Sequence, residues 1–183
     1  SMGYGAAWGD YDNDQDFDLY LSNWGKNRLY KNENGSFVNV AETFNLESDS
    51  LSNGAGWGDF NNDGRIDLWA ANFKREDDVY INSIDDVWDN SSNPSFMSAT
   101  QDVVPADYNN DGQLDMFTPG LQMAHGHGPS SQGYKYTSLL FKNLAIDSLS
   151  NNYNWIKIDL EGAKHGFTNT GWSENANKSA IGA

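Results

Sequence analysis

The chain has no cysteine among its 183 residues, which excludes disulfide bonds, a thiol nucleophile and zinc–thiolate sites. Positive charge is scarce, because 11 Lys and Arg stand against 26 Asp and Glu for a formal net charge of −15. This balance argues against nucleic acid as a partner, since a phosphate backbone is bound by a basic patch. No run approaches the roughly 18 consecutive apolar residues of a membrane-spanning helix. We therefore expect no membrane span.

What the chain does contain indicates a β protein. It has 20 Asp and 23 Asn, residues that favour turns, caps and metal-binding loops over helix interiors. It also has 18 Gly and an aromatic content of 14%, including seven Trp. A disordered chain would lack these aromatics, and no segment has the spacing of a long amphipathic helix. The composition predicts an all-β, turn-rich globular protein with an aromatic core.

A repeat of about 48 residues organises the sequence. Residues 5–14 recur as residues 54–63 and, more loosely, as residues 103–111. Each copy is followed by apolar segments with the spacing of strands, at residues 17–21, 28–32 and 36–40 in the first unit. About four short strands in a unit of roughly 40 to 50 residues predict a β-propeller blade. We expect three four-stranded repeats at about residues 3–51, 52–100 and 101–146, followed by a C-terminal β segment at 147–183.

The number of blades is small for a closed ring. Three units and the tail after Asp147 make at most about four blades, at the lower end of the usual four to eight. An incomplete ring leaves exposed sheet edges that invite pairing. We therefore expect these residues to be part of a larger propeller, or blades from separate chains to assemble as a homo-oligomer that completes the ring.

Each repeat contains an acidic loop with oxygen-bearing side chains at alternate positions. Numbered from the first Asp, positions 1, 3, 5, 7 and 9 are Asp10, Asp12, Asp14, Asp16 and Asp18; Asp59, Asn61, Asp63, Arg65 and Asp67; and Asp107, Asn109, Asp111, Gln113 and Asp115. Hard oxygen donors in a tight loop suit Ca²⁺, which takes six to eight oxygens, with position 7 contributing its backbone carbonyl. We predict about three Ca²⁺ ions, one per loop, in hairpins between the first two strands of each blade.

Two features refine the calcium prediction. Gly64 and Gly112 at position 6 allow a sharp turn with positive φ, whereas Gln15 in the first loop predicts strain of roughly 1 kcal/mol. An EF-hand is excluded because position 12 is not Glu and the flanking segments are strand-like. The alternative is that these loops are ordinary solvated turns.

The loops resemble FG-GAP or VCBS-type repeats of integrin-α-like β-propellers, through the pattern D-x-[DN]-x-D-G-x-[IL]-D at residues 59–67 and 107–115. Residues 154–162 and 179–183 resemble the start of an ASPIC/UnbV module, a combination similar to exported bacterial proteins and to the cartilage acidic protein family. The resemblance implies a calcium-bound module for binding or adhesion that is extracellular, periplasmic or on the cell surface. It implies no reaction, and the signal peptide of such a protein is not among these residues.

Other candidate residues leave two alternatives open. His125 and His127 lie in an insertion and could ligate a metal or act as acid and base, which would make the protein a propeller enzyme. No phosphate loop, nucleophile elbow or dinucleotide motif occurs, so we expect no enzyme. Trp8 and Trp57 recur at one blade position and predict packing, whereas Trp24, Trp88 and Trp172 fall outside the repeat and could stack on sugars. The expected ligand is a protein or a carbohydrate.

Overall fold

The computed structural model describes residues 2–84, 87–90, 98–120, 138–143 and 155–159. Within these ranges the chain forms thirteen β-strands and no α-helix, and hence no helix long and apolar enough to span a membrane. The strands are β1 (Met2–Gly9), β2 (Asp18–Trp24), β3 (Arg28–Glu33), β4 (Ser36–Asn39), β5 (Ser52–Gly58), β6 (Asp67–Arg75), β7 (Asp78–Asn82), β8 (Trp88–Asp89), β9 (Ser98–Ala99), β10 (Val104–Ala106), β11 (Asp115–Thr118), β12 (Leu139–Asn143) and β13 (Trp155–Asp159).

The strands form three antiparallel sheets in simple up-and-down order. The first blade is β1–β4, the second is β5–β8 with β9 paired to the far end of β6, and the third is β10–β13. Turn chemistry sets these hairpins locally: Asn34 and Gly35 both have positive φ between the paired residues Glu33 and Ser36, as a two-residue hairpin requires. The predicted all-β fold of propeller-like blades is confirmed.

Two aromatic cores lie between successive blades, because alternate residues of a strand point to opposite faces of a sheet. In β6, Leu68 and Ala70 face the first blade, whereas Trp69 and Ala71 face the third. The first core joins the second blade to buried Tyr11, Tyr20, Leu29 and Leu46. The second joins it to Val103, Met116, Leu139 and Phe141 of the third blade. The middle blade is therefore covered on both faces.

The two repeated tryptophans behave differently. Trp57 is half-buried in the first core and donates its indole N–H to the Ala7 carbonyl at 3.1 Å, as its predicted packing role requires. Trp8, at the same position of the first blade, is 58% exposed. The difference arises because Trp57 packs against a preceding blade and Trp8 has none among the described residues.

The C-terminal segment contributes to the third blade. One described strand, β13, lies within the predicted segment 147–183, and it pairs with β12 as the fourth strand of that sheet. The boundary between residues 146 and 147 remains a prediction. The insertion that contains His125 and His127 lies outside the described residues, as does Trp172.

Candidate metal-binding loops

Each acidic loop connects the first and second strands of its blade, at residues 10–17, 59–66 and 107–114, which is the predicted position. Two backbone positions in every loop are left-handed. Position 4 is Asn13, Asn62 or Asn110 with φ of 58°, 56° and 59°, and position 6 is Gln15, Gly64 or Gly112 with φ of 75°, 86° and 83°. Asn and Gly tolerate this region better than other residues. The three loops therefore share one backbone conformation.

Carboxylates at positions 1 and 5 hold that conformation. The position 1 carboxylate accepts hydrogen bonds from the backbone N–H groups of positions 5 and 6, and the position 5 carboxylate accepts one from position 7. In the second loop Asp59 accepts from Asp63 (3.1 Å) and Gly64 (2.9 Å), and Asp63 accepts from Arg65 (2.9 Å). The first and third loops repeat these bonds through Asp10, Asp14, Asp107 and Asp111. One oxygen-rich concave loop results in each blade.

The position 9 carboxylates are buried and tie each loop to the third strand of its blade. Asp67 accepts from the backbone N–H of Phe60 at 2.7 Å and from that of Asn82 at 2.8 Å. Asp18 and Asp115 make the equivalent bonds. Burial raises the pKa of Asp67 to about 7 and that of Asp18 to about 6, although the backbone hydrogen bonds oppose the rise; it also raises the pKa of Asp115. A nearby cation would offset the cost of burying these charges.

The first loop brings three carboxylates together. Oxygens of Asp10, Asp12 and Asp18 lie within 4.8 Å of one another. The Oδ1 atom of Asp12 is buried and has no hydrogen-bond partner, which is costly for a carboxylate oxygen and suits a ligand to a bound cation. Asp14 and Asp16 lie outside this group, and Asp16 accepts from the backbone N–H of Asn34 at 2.8 Å. The residues present therefore fit a hard divalent cation, with three of the five predicted carboxylates converging.

The second and third loops carry Asn at position 3, so each presents fewer carboxylates. Asn61 and Asn109 accept from the backbone N–H of the position 5 Asp through their side-chain oxygens. The position 7 side chains turn elsewhere: Arg65 bonds to Asp63 and the Asn82 carbonyl, and Gln113 accepts from the Asn62 amide at 2.8 Å. The role of the Arg65 and Gln113 backbone carbonyls as metal ligands stays a prediction.

Each loop also contacts one cationic side chain. Lys31 lies 2.9 Å from Asp12, Arg65 lies 2.5 Å from Asp63, and Lys142 lies 3.1 Å from Asp111. The hydrogen bond to Asp12 is the largest cause that raises the pKa of Lys31. The pKa of Asp111 is lowered first by the backbone hydrogen bond from Gln113 and then by the hydrogen bond from Lys142. These internal cations partly neutralise the loops and would compete with a metal ion for the same carboxylates.

One set of residues around the loops escaped the sequence analysis. Asn82 donates its side-chain amide to the Ile66 carbonyl of its own blade at 3.2 Å and to the Tyr11 carbonyl of the preceding blade at 2.7 Å. Asn143 repeats the pattern with Leu114 and Phe60. The sequence marks this position, because Asn ends the third-strand segment of every repeat. It does not reveal the role of the side chain, because the carbonyl that it binds in the preceding blade lies far away along the chain. These asparagines link each loop to the next blade.

The tryptophans set apart from the repeat prove to occupy repeat positions. Trp24 and Phe73 both lie six residues after the position 9 Asp, and their rings stack with centroids 6.4 Å apart. Trp88 pairs with Asn82 in the register in which Phe37 pairs with Asn32, and it packs against Tyr11 and Trp57. The interpretation of Trp24 and Trp88 as residues outside the repeat is therefore wrong.

A comparison with protein families gives two matches to an FG-GAP-like repeat, at residues 10–70 and 59–118. Both matches begin at the position 1 Asp of an acidic loop. No curated protein matches the chain significantly. FG-GAP-like repeats are indicative of a β-propeller module of the integrin-α type, in agreement with the three blades. Because the two matches together cover more than half of the chain, the chain belongs to the FG-GAP-like repeat family.

Proposed function

We propose that this chain is a calcium-stabilised, non-catalytic β-propeller module that binds a protein or carbohydrate ligand outside the cytoplasm. The observation that carries the proposal is the oxygen cluster of Asp10, Asp12 and Asp18, with its unpartnered Oδ1 atom, in a loop conformation that recurs in all three blades. Carboxylate and carbonyl oxygens are the ligands that Ca²⁺ prefers. The proposal also includes the resemblance of the acidic loops to VCBS repeats and of residues 154–162 and 179–183 to the start of an ASPIC/UnbV module.

The position of the loops supports a structural role for the ion. Each loop links two strands of a blade, and its position 9 Asp accepts a hydrogen bond from a backbone N–H of a third strand. A cation at this point would neutralise repulsion between carboxylates and join three strands. Because a ligand that binds only the folded state stabilises it by mass action, calcium is expected to raise the melting temperature.

The choice of ion follows from the donors. Aspartate, asparagine and backbone carbonyl oxygens are hard ligands, and the described loops contain neither the imidazole nor the thiolate that zinc and copper favour. Calcium also accepts an irregular set of six to eight oxygens, whereas Mg²⁺ requires near-octahedral geometry. The enzyme alternative places its site at His125 and His127, outside the described residues, and no described contact favours it.

A thermal melt of chelator-treated protein tests the proposal. We expect millimolar Ca²⁺ to raise the melting temperature by several degrees, and the same concentration of Mg²⁺ to raise it less. Asp12→Ala should reduce the calcium shift, because it removes a ligand oxygen from the cluster of the first loop. Asp49→Ala is the matched control, since it makes the same substitution at an exposed position outside the loops and should keep the full shift.

Two results would overturn the calcium proposal. One is a melting temperature that does not change on calcium addition. The other is an equal shift in the wild type, Asp12→Ala and Asp49→Ala proteins, which would show that the cluster of Asp10, Asp12 and Asp18 does not bind the ion. The first result would make the loops ordinary hydrogen-bonded turns, and the second would remove the observation that carries the proposal.

A further inference from the structure

The position 9 carboxylate of every blade uses its two oxygens to join the acidic loop to the third strand. One oxygen accepts from the backbone N–H of loop position 2, and the other accepts from the backbone N–H of the asparagine that ends the third strand. The asparagine and aspartate pairs are Asn32 and Asp18, Asn82 and Asp67, and Asn143 and Asp115, each at 2.8 Å. The position 2 donors are Tyr11, Phe60 and Tyr108. Each of these asparagines is therefore fixed by the loop of its own blade.

Two of the asparagines also reach the acidic loop of the preceding blade. The Asn82 amide donates to the Tyr11 carbonyl, and the Asn143 amide donates to the Phe60 carbonyl, both at 2.7 Å. All four residues are at most 1% exposed. Because a hydrogen bond is electrostatically stronger in a buried site than in water, these bonds are firm links between successive loops.

The Tyr11 carbonyl lies within the backbone that carries the first carboxylate cluster. Tyr11 stands between Asp10 and Asp12, two members of the cluster, and its N–H donates to Asp18, the third member. The peptide group between Asp10 and Tyr11 is thus held by Asp18, and the next one, between Tyr11 and Asp12, is held by Asn82. The amide of the second blade therefore positions the residue whose Oδ1 atom is buried without a partner.

Asn82 is held in turn by two residues of the second loop. Its backbone N–H binds the position 9 Asp67, and its carbonyl accepts from Nε of the position 7 Arg65 at 3.2 Å. With Asp67 fixed as a metal ligand, the end of the third strand is fixed as well, and the Asn82 amide stays aimed at Tyr11. Because a loop that is already ordered has less entropy left to lose, occupancy of one loop favours occupancy of the other.

We propose that calcium binds the first and second loops cooperatively and that Asn82 is the positioning residue that couples them; this inference rests on the proposed calcium sites. Asn143 couples the second and third loops in the same way. Coupling between two binding sites is reciprocal, and it typically changes each affinity by about 5-fold to 150-fold. The propeller module thus gains its calcium over a narrower range of concentration than independent loops would allow.

Calcium titration followed by heteronuclear NMR tests the coupling, because the position 6 amide of each loop donates to the position 1 carboxylate and reports on that loop alone. The reporters are Gln15, Gly64 and Gly112. The first two loops are the pair to test, because the second and third are also joined directly by the Asn62 amide and the Gln113 side chain.

The decisive measurement is the effect of the first loop on the second. Asp12→Ala disables the first loop, so calcium binding reported by Gly64 should weaken at least about fivefold. In an Asn82→Ala background the same change should leave binding at Gly64 unaltered, because the link to Tyr11 is gone. A long-range effect of the lost charge would persist in this background, and persistence would show that Asn82 does not couple the loops.

Asn72→Ala is the matched control. Asn72 is fully buried in the same blade, and its amide donates to the Glu76 carbonyl and to Asp78, away from the end of β6 that begins at the acidic loop. The variant loses buried hydrogen bonds as Asn82→Ala does, but it should keep the effect of Asp12→Ala on Gly64. Loss of that effect in both backgrounds would mean that general destabilisation, and not Asn82, breaks the coupling.

The outcomes separate this proposal from the calcium proposal. If none of the three reporter amides responds to calcium, both proposals fail. A response at Gln15 without one at Gly64, or a Gly64 response that Asp12→Ala leaves unchanged, overturns the coupling alone. Circular dichroism checks that each variant is folded, and Asn82→Leu, which fills the same space without a donor, repeats the test if Asn82→Ala does not fold.

Discussion

Asparagine serves three different purposes at fixed positions of the repeat. At loop position 4 it adopts a left-handed conformation, at position 3 of the second and third loops its oxygen caps a backbone N–H, and at the end of the third strand it bridges two blades. The loop positions could be predicted, because their spacing is local. The bridging role could not, because Asn82 and Tyr11 are 71 residues apart and only the packed blades bring them together.

Asp77 gives the protein a pH-dependent stability. It is fully buried and accepts hydrogen bonds from the Asn72 backbone at 2.8 Å and the Trp69 indole at 3.1 Å. Burial raises its pKa from 3.8 to about 7, so between these values the folded chain holds a proton that the unfolded chain has lost. The contribution of Asp77 to the free energy of unfolding therefore falls as the pH rises through this window and is constant on either side.

The variant Asp77→Asn tests this argument. Urea unfolding at about pH 5 and about pH 7.5 should show that the wild type loses more stability than the variant over this interval, by on the order of 2 kcal/mol. Chelator is kept in both buffers so that calcium does not contribute. An equal loss in the two proteins would mean that Asp77 is ionised in the folded state throughout.

Gln15 is the residue at which the first acidic loop differs from the second and third, which have Gly at this position. It adopts φ of 75°, where Gly64 and Gly112 have φ of 86° and 83° and open space around an added Cβ. Because a side chain in this conformation is strained whatever the space, Gln15→Gly should stabilise the calcium-free protein by about 1 kcal/mol in urea unfolding. The reciprocal change Gly64→Gln should destabilise it by a similar amount. Destabilisation by Gln15→Gly would show that the Gln side chain stabilises the loop by other contacts.

The first strands of the blades are rich in small residues because they pack closely against one another. β1 and β5 are neighbours, and an added Cβ on Gly5 would clash with the Asn53 carbonyl oxygen and lie 2.9 Å from the Gly54 Cα. Both obstacles are backbone atoms, which cannot rotate away. The spans of the strands could be predicted from the repeat, and each predicted strand segment lies at or next to an observed strand. This close approach depends on the arrangement of blades and is not visible in any one segment.

A pair of alanine substitutions separates close packing from strand propensity. Gly5→Ala should lower the free energy of unfolding by about 1–3 kcal/mol, because the clash must be relieved by moving one blade. Gly3→Ala lies in the same strand, but its added Cβ would meet only the Asn23 side chain at 3.6 Å, so a change within about 0.5 kcal/mol is expected. Equal effects of the two substitutions in urea unfolding would refute the packing argument.

At the scale of the whole molecule, the blades are coupled mainly to their neighbours. Asn82→Ala removes a buried hydrogen bond to the Tyr11 carbonyl and a partly buried one to the Ile66 carbonyl, so a loss of about 2–3 kcal/mol is expected. Asn32→Ala removes two exposed bonds within one blade, from its amide to the Phe17 carbonyl and from the Gly35 backbone N–H to its side-chain oxygen, and should cost about 1 kcal/mol because water replaces both partners. Urea unfolding with amide hydrogen exchange measures both. A similar loss in the two variants would show that the buried bond between blades contributes no more than an exposed bond within a blade.

The fold class and the loops could be predicted because the three copies of the repeat can be aligned with one another. The alignment shows which residue types recur at which positions. The carboxylates that converge could not be selected in this way. Asp16 occupies a ligand-type position but turns to Asn34, which sits on a different hairpin. Alternate spacing thus identified the candidate ligands, and the surrounding strands decided which of them face one another.

The bonds from Asn82 and Asn143 to the preceding blade also give the chain a direction during synthesis on the ribosome. Asn82 is translated 71 residues after Tyr11, and Asn143 is translated 83 residues after Phe60. The first and second acidic loops therefore gain this bond only after the third strand of the following blade has been translated. A ribosome that pauses after the first blade holds a nascent chain whose acidic loop still lacks its bond from the following blade.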